Sequence, residues 1–309
     1  MKKLASFIIS ILLVMSFVIV APIVSQEQPV SQVSASGKTI DVYFISGQSN
    51  AAGETHYNTI TTTKSEYTSG YQNIYIHGAA MNAGDVKKGR SFVYPELVTG
   101  DKGNSSGRFG PELGMADYLS TYYNKTTGKE AIFIKYGCGA ASLDGQPGTG
   151  WGNFCPPSKL SESTVKGENL YYNLTNTVKE ALTALKNNGY TNVNYKGMFW
   201  LQGAANMSNA TRAGKYGSYL EAFINDFRSD LKEITQPIFG ANDKASVLPF
   251  VLTEISPYFN KSTVYKGQDN LVYSNTSGIN TIVAGQRAVA KKLTNVETLY
   301  TGDISLTNN

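Results

Sequence analysis

Histidine is scarce in this chain: two in 309 residues, His56 and His77. Any reaction that needs an imidazole has only those two to draw on. Cysteine is equally rare. Cys138 and Cys155 stand far from either histidine, so no zinc-ligand spacing exists, and neither a metal nor a cofactor is expected. In an exported protein these two cysteines form either a disulfide closing a short loop or two free thiols, and the sequence leaves both open. Charge of one sign is thin as well. Lys+Arg 27 against Asp+Glu 23 leaves a net charge of +4 with no dense basic stripe, so no nucleic-acid partner is expected. After Val20 no apolar run is long enough to span a membrane. What remains is 41% hydrophobic, which argues for a globular chain with a well-buried core rather than disorder. Its 20 tyrosines would suit stacking on sugar rings, but tyrosine also fills cores.

The N-terminus reads as a targeting segment. Lys2-Lys3 precedes an apolar run from Leu4 to Val20, then Ala21-Pro22 and a Ser/Gln/Val-rich stretch. Residues 1–35 are expected to be a signal peptide and leader, with small residues for cleavage at Val33-Ser34-Ala35 or Ile23-Val24-Ser25. A secreted, extracellular protein follows. The run is long for a signal peptide, so its retention as a membrane anchor is the alternative. Residues 36–309 are expected to form one domain. Asn-x-Ser/Thr recurs, as at Asn124, Asn173 and Asn260; in so Asn-rich a chain this is mostly chance, and it matters only if the host glycosylates.

Short β-branched and aromatic runs predict strands at Asp41–Ser46, Asn73–His77, Ala131–Tyr136, Gly197–Leu201, Leu248–Glu254 and Glu297–Tyr300. Pro111–Leu119 reads as a helix with proline in its first turn. Glu168–Lys186, Tyr216–Ile234 and Ile282–Leu293 also read as helices, the second stopping before Pro237. Residues 53–70, 78–107 and 145–157, the last carrying Trp151, read as loops. Strands alternating with helices predict an α/β fold, a three-layer α/β/α sandwich around a parallel sheet, with no repeat or second domain.

The chemistry is expected at the strand ends. Asp41–Ser46 runs into Gly47-Gln48-Ser49-Asn50, where Gly47 allows a sharp turn. Ser49 then stands at the C-terminal edge of the sheet, where open α/β folds bind ligands. Two more strands end in turns carrying Gly139 and Gln202. A hydroxyl ringed by N–H donors suits acyl transfer. Ser49 is the expected nucleophile, with the backbone N–H groups of Ser49 and Gly139 and the side-chain amide of Gln202 or Asn206 as an oxyanion hole. The plainer alternative is a turn whose Ser or Asn caps a helix.

These blocks resemble the SGNH-hydrolase superfamily, in particular the branch of sialate O-acetylesterases and family 6 carbohydrate acetylesterases. Gly47-Gln48-Ser49-Asn50-Ala51-Ala52-Gly53 resembles its Gly-Gln-Ser-Asn-Met-x-Gly, and Phe109-Gly110-Pro111-Glu112-Leu113-Gly114 matches its Phe-Gly-Pro-Glu-Leu-Gly. Gly139-Ala140-Ala141-Ser142-Leu143 resembles Gly-Gly-Thr-Ser-Leu, and Trp200 to Asn206 resembles Trp-x-Gln-Gly-Glu-x-Asp. The resemblance implies a flavodoxin-like sandwich, hydrolysis of O-acetyl groups on carbohydrates, and no metal. The departures are Ala140 for glycine, Ala204 for Glu and Asn206 for Asp. The branch's Asp-x-x-His, which holds the general base and its orienting carboxylate, has no counterpart in Thr301-Gly302-Asp303-Ile304 or the residues after it. His77 at a strand end and His56 in a polar loop are the candidate bases, each read more simply as solvated or locally bonded.

The expectation is a secreted serine hydrolase that deacetylates an O-acetylated glycan, with xylan and sialic acid both open as carriers. This chain would be a fragment or short version without its Asp/His segment, inactive if no other histidine serves. The alternative is a pseudoenzyme that binds glycans in the same cleft without turnover. An acyl hydrolase acting on lipid would want an apolar groove, for which no residue speaks.

Overall fold

The computed structural model describes residues 37–60, 64–81, 90–144, 152–163, 169–207, 209–255 and 276–300. The expected signal segment 1–35, Trp151, Asn260 and Thr301–Asn309 lie outside the described residues.

Strand β1 (Lys38–Gly47) is buried from Ile40 onward, because both of its faces are apolar. Ile40, Val42 and Phe44 point to one core, and Tyr43 and Ile45 to the other. Such two-sided burial marks a strand inside a parallel sheet. The other strands are β2 (Thr55–His56), β3 (Ile74–Met81), β4 (Arg90–Leu97), β5 (Arg108–Phe109), β6 (Ala131–Cys138), β7 (Tyr190–Leu201), β8 (Phe250–Thr253) and β9 (Val296–Leu299). One sheet has the order β4-β3-β6-β1-β7-β8-β9, while β2 and β5 pair apart from it.

Within the large sheet β3 and β4 are antiparallel and all other neighbours parallel. The sheet is therefore mostly parallel, as expected from sequence, with β4 added as one antiparallel edge strand. That strand lies in the expected loop 78–107. There β3 continues to Met81 and the chain returns as β4. Only residues 82–89 separate the two strands, and a parallel pairing would need a crossover of about a dozen residues or more.

Helices cover both faces: α1 (Ser49–Ala52), α2 (Pro111–Leu119), α3 (Leu170–Asn187), α4 (Ala204–Met207), α5 (Ala210–Phe239) and α6 (Thr276–Lys292). Leu113, Ala116 and Leu119 of α2 pack with Tyr43, Ile45 and Phe133. On the opposite face α3, α5 and α6 pack with Val42, Phe44, Ile134 and Trp200. The result is the expected three-layer sandwich. Trp200 and Phe223 anchor β7 to α5, with ring centroids 4.2 Å apart. Truncating either to alanine would cost about 3–5 kcal/mol. Helix α5 runs through Pro237 to Phe239 rather than stopping before it. In the last turn a proline forfeits one backbone bond and has little helix left to break.

The strands on one side of β1 are laid down first and those on the other side afterwards. The ends of β6, β1 and β7 therefore flank the point where the winding reverses, the crevice in which open α/β sheets bind ligands. Among the described residues no helix is long and apolar enough to cross a membrane.

Candidate active site

The register aligns three strand ends. Gly47 pairs with Gly137 of β6 and Leu201 of β7, so Ser49, Gly139 and Gly203 each lie two residues beyond that line. Gly47 has φ +136, and a Cβ there would fall 2.3 Å from the Leu201 carbonyl oxygen. Only glycine lets β1 leave the sheet so close to β7. Gln48 joins the same two chains. Its N–H donates to Leu201 O at 2.9 Å, and its Oε1 accepts from the N–H groups of Gly203 and Ala205, each at 3.2 Å. The carboxamide thus satisfies donors at the start of α4 that the helix itself leaves unpaired.

Ser49 is the first residue of α1 and partly exposed. The N–H groups of Ala51 and Ala52 both go to Gln48 O at 2.9 Å, and that of Gly53 to Ser49 O at 2.8 Å. Neither the N–H nor the hydroxyl of Ser49 has a hydrogen-bond partner among the described residues.

The two candidate amides behave differently. Gln202 Nε2 donates to Ala141 O at 3.1 Å and to Asn206 Oδ1 at 2.8 Å, so both its hydrogens are engaged. Asn206 Oδ1 also accepts from Leu143 N–H at 3.1 Å. Two donors converging on that oxygen settle which way the Asn206 amide faces. Its Nδ2 is buried and unpartnered, as are Gln202 Oε1 and Ser142 Oγ. A buried polar group left unmatched costs about 1–3 kcal/mol, so these three atoms would each gain from a polar partner.

Gly139 N–H is committed elsewhere, donating to Met81 O at 3.0 Å. The next residue, Ala140, lies in the left-handed region at φ +54, and its N–H has no acceptor among the described residues. That conformation costs an L-residue about 1–2 kcal/mol, which explains why the related pattern has glycine there. Sequence reasoning missed Ala140 because a free N–H carries no signature in the residue type.

Neither histidine meets Ser49. His77 pairs with Ile134 of β6, three residues short of the Ala80–Gly137–Gly47 line and two strands from β1. That is about 10 Å sideways and at least about 10 Å back along the strands, far outside hydrogen-bond reach. The side chain is half-buried with Nδ1 unpartnered. Burial lowers its pKa, against the opposing pull of Glu180 and Glu96. His56 is exposed on β2, opposite Arg108, with no ring contact to Ser49.

Two ion pairs are buried near the strand ends. Asp144, just past the Gly139–Leu143 turn, holds Arg212 of α5 through Nε at 3.1 Å and Nη2 at 3.1 Å. Lys135 of β6 and Glu112 of α2, both fully buried, meet at 2.7 Å. Cys138 and Cys155 are buried free thiols, which answers the choice that the sequence left open. Burial pushes the Cys155 thiol up to about 11. Among the described residues no group of His, Cys, Asp and Glu side chains comes together as a metal-binding set.

Comparison with known families finds a match over residues 39–243 to the model described as carbohydrate esterase, sialic acid-specific acetylesterase. Comparison with curated proteins finds no match. Among solved structures, a protein from Arabidopsis thaliana is similar at 17% identity and a TM-score of 0.49, covering 87% of this chain and 88% of that one.

Proposed function

The chain belongs to the carbohydrate esterase family of sialic acid-specific acetylesterases, and on that premise we propose that it is a secreted hydrolase of acetyl esters on an O-acetylated carbohydrate. Ser49 is its nucleophile. The observation that carries this reading is that one sheet edge holds the Ser49 hydroxyl, the N–H groups of Ser49 and Ala140 and the Nδ2 of Asn206, none of them with a partner among the described residues. In acyl transfer the Ser49 oxygen attacks the acetyl carbonyl, whose oxygen gains negative charge. The three donors are proposed to receive that charge. Each such donor is worth about 10²–10³ in kcat where it has been removed from other enzymes. Gln202 is then a positioning residue that aims Asn206, and Gly139 belongs to the ladder behind the turn. The Ser49 proton also needs an acceptor, and neither His77 nor His56 supplies one.

A second reading, a glycan-binding pseudoenzyme, is favoured by Ala140 and Ala204, which stand where the related pattern has glycine and glutamate. Hydrolysis of p-nitrophenyl acetate by the chain and by Ser49→Ala separates the two. Turnover that disappears in Ser49→Ala supports the esterase. No turnover from a folded sample overturns it and leaves the binding reading, to be tested by titration with acetylated and deacetylated oligosaccharides.

A further inference from the structure

We propose that Lys135 is a positioning residue for Ser49, acting as a latch that ties both ends of segment 102–112 beneath the turn carrying the serine. Lys135 is fully buried in the core under α2, where it pairs with Ile45 of β1. Its Nζ donates to Glu112 Oε2 at 2.7 Å and to Lys102 O at 3.0 Å. The second oxygen of Glu112 accepts from Gly110 N–H at 2.7 Å. Lys102 and Glu112 bracket the segment, so one ammonium holds it at each end.

That segment grips Gly53, the residue that closes the Ser49 turn. Asn104 N–H donates to Gly53 O at 3.0 Å, and Gly53 N–H to Ser49 O at 2.8 Å. On the other side, a Cβ on Gly53 would fall 2.7 Å from Gly110 N, and one on Gly103 2.6 Å from Gly53 O. Backbone packed this tightly transmits displacement rather than absorbing it. Glu54 adds a parallel tie, bonding to Arg108 and Asn104. The path from the ammonium to the serine is therefore continuous: Lys135, Lys102 and Glu112, then Asn104 and Gly110, then Gly53, then Ser49.

Stability alone is a weak reason for such a pair. Replacing a buried ion pair with apolar residues of similar volume is often neutral or stabilising, whereas a fixed pair specifies one arrangement. The discriminating protein is thus the double variant Lys135→Met/Glu112→Leu, compared with the parent by melting temperature and by amide hydrogen exchange. We expect an unchanged or higher melting temperature, with the amides of Ala51, Ala52 and Gly53 exchanging at least about tenfold faster while Phe44 and Ile45 keep their protection. A structural role would move all these amides together. Parental exchange at 51–53 in the folded double variant, or a uniform rise through β1, overturns the latch. Should the double variant fail to fold, Glu112→Gln decides by the same readout. The catalytic consequence rests on the esterase reading: kcat falls about 10–100-fold with KM unchanged, as small misplacements of a nucleophile do. A parent chain that folds but hydrolyses nothing removes that reading, and the exchange measurement still decides the latch.

Discussion

Gln202 and Asn206 fix one another. Gln202 Nε2 donates to Asn206 Oδ1 at 2.8 Å, and with Leu143 N–H on the same oxygen the Asn206 amide has one orientation, with Nδ2 buried and unpartnered. The related pattern has aspartate here, which would keep both acceptor roles and offer no donor.

Asn206→Asp tests that donor. Both bonds to the side-chain oxygen survive, but the new carboxylate is fully buried with no cation bonded to it among the described residues, so the melting temperature should fall. In protein shown to be folded, kcat for an acetyl ester drops about 10²–10³-fold. Steady-state kinetics checks this, and parental kcat in the variant would remove Asn206 from the oxyanion hole.

Gly47→Ala is expected to damage the fold itself. The added methyl meets Leu201 O at 2.3 Å in backbone at φ +136. The left-handed penalty of about 1–2 kcal/mol adds to an overpacking penalty of about 1–3 kcal/mol. Urea denaturation should show a loss within the sum of these, and an unchanged midpoint would contradict the geometry.

His77 gives stability a pH dependence on the acid side. Burial depresses its folded pKa, so below about 6.5 the unfolded chain binds a proton that the folded chain resists. Stability should fall as pH drops from there through the folded pKa, and be independent of His77 above about 6.5. His77→Gln should flatten that part of the curve. If the slope survives in the variant, another group causes it.

Cys138 and Cys155 should be silent to an aromatic disulfide reagent at pH 8 in the native chain and both react after unfolding. Burial holds Cys155 at about 11, so its thiolate is scarce at that pH. A chain that offers no thiols after unfolding without reductant would have a disulfide instead.

The parts of the fold legible in the sequence were those whose local signals agree with their tertiary setting. Pro111–Leu119 was readable to the residue because proline opens it and its apolar positions share a face. Strand β4 was not. Phe92 is buried and Val93 is 70% exposed, a genuine alternation. It sits, however, between Gly/Asp/Lys-rich flanks and contains a proline, which only an edge strand tolerates. Ser49 could be singled out because strand, glycine and serine are contiguous. Which N–H groups remain open could not, since Gly139 is committed by Met81, more than 50 residues earlier in sequence. Lys135, in the middle of an apolar strand, was a signal in plain view whose partner, Glu112, only the fold identifies.

The Lys135–Glu112 contact also bears on the order in which the molecule assembles. An ammonium sealed into that core without its carboxylate would be strongly unfavourable, so β6 cannot complete its burial until α2 arrives. The native core around Lys135 is complete only with both segments in place. The central sheet and the helix on its thinly covered face thereby form a single cooperative unit rather than a sheet to which a helix is added later.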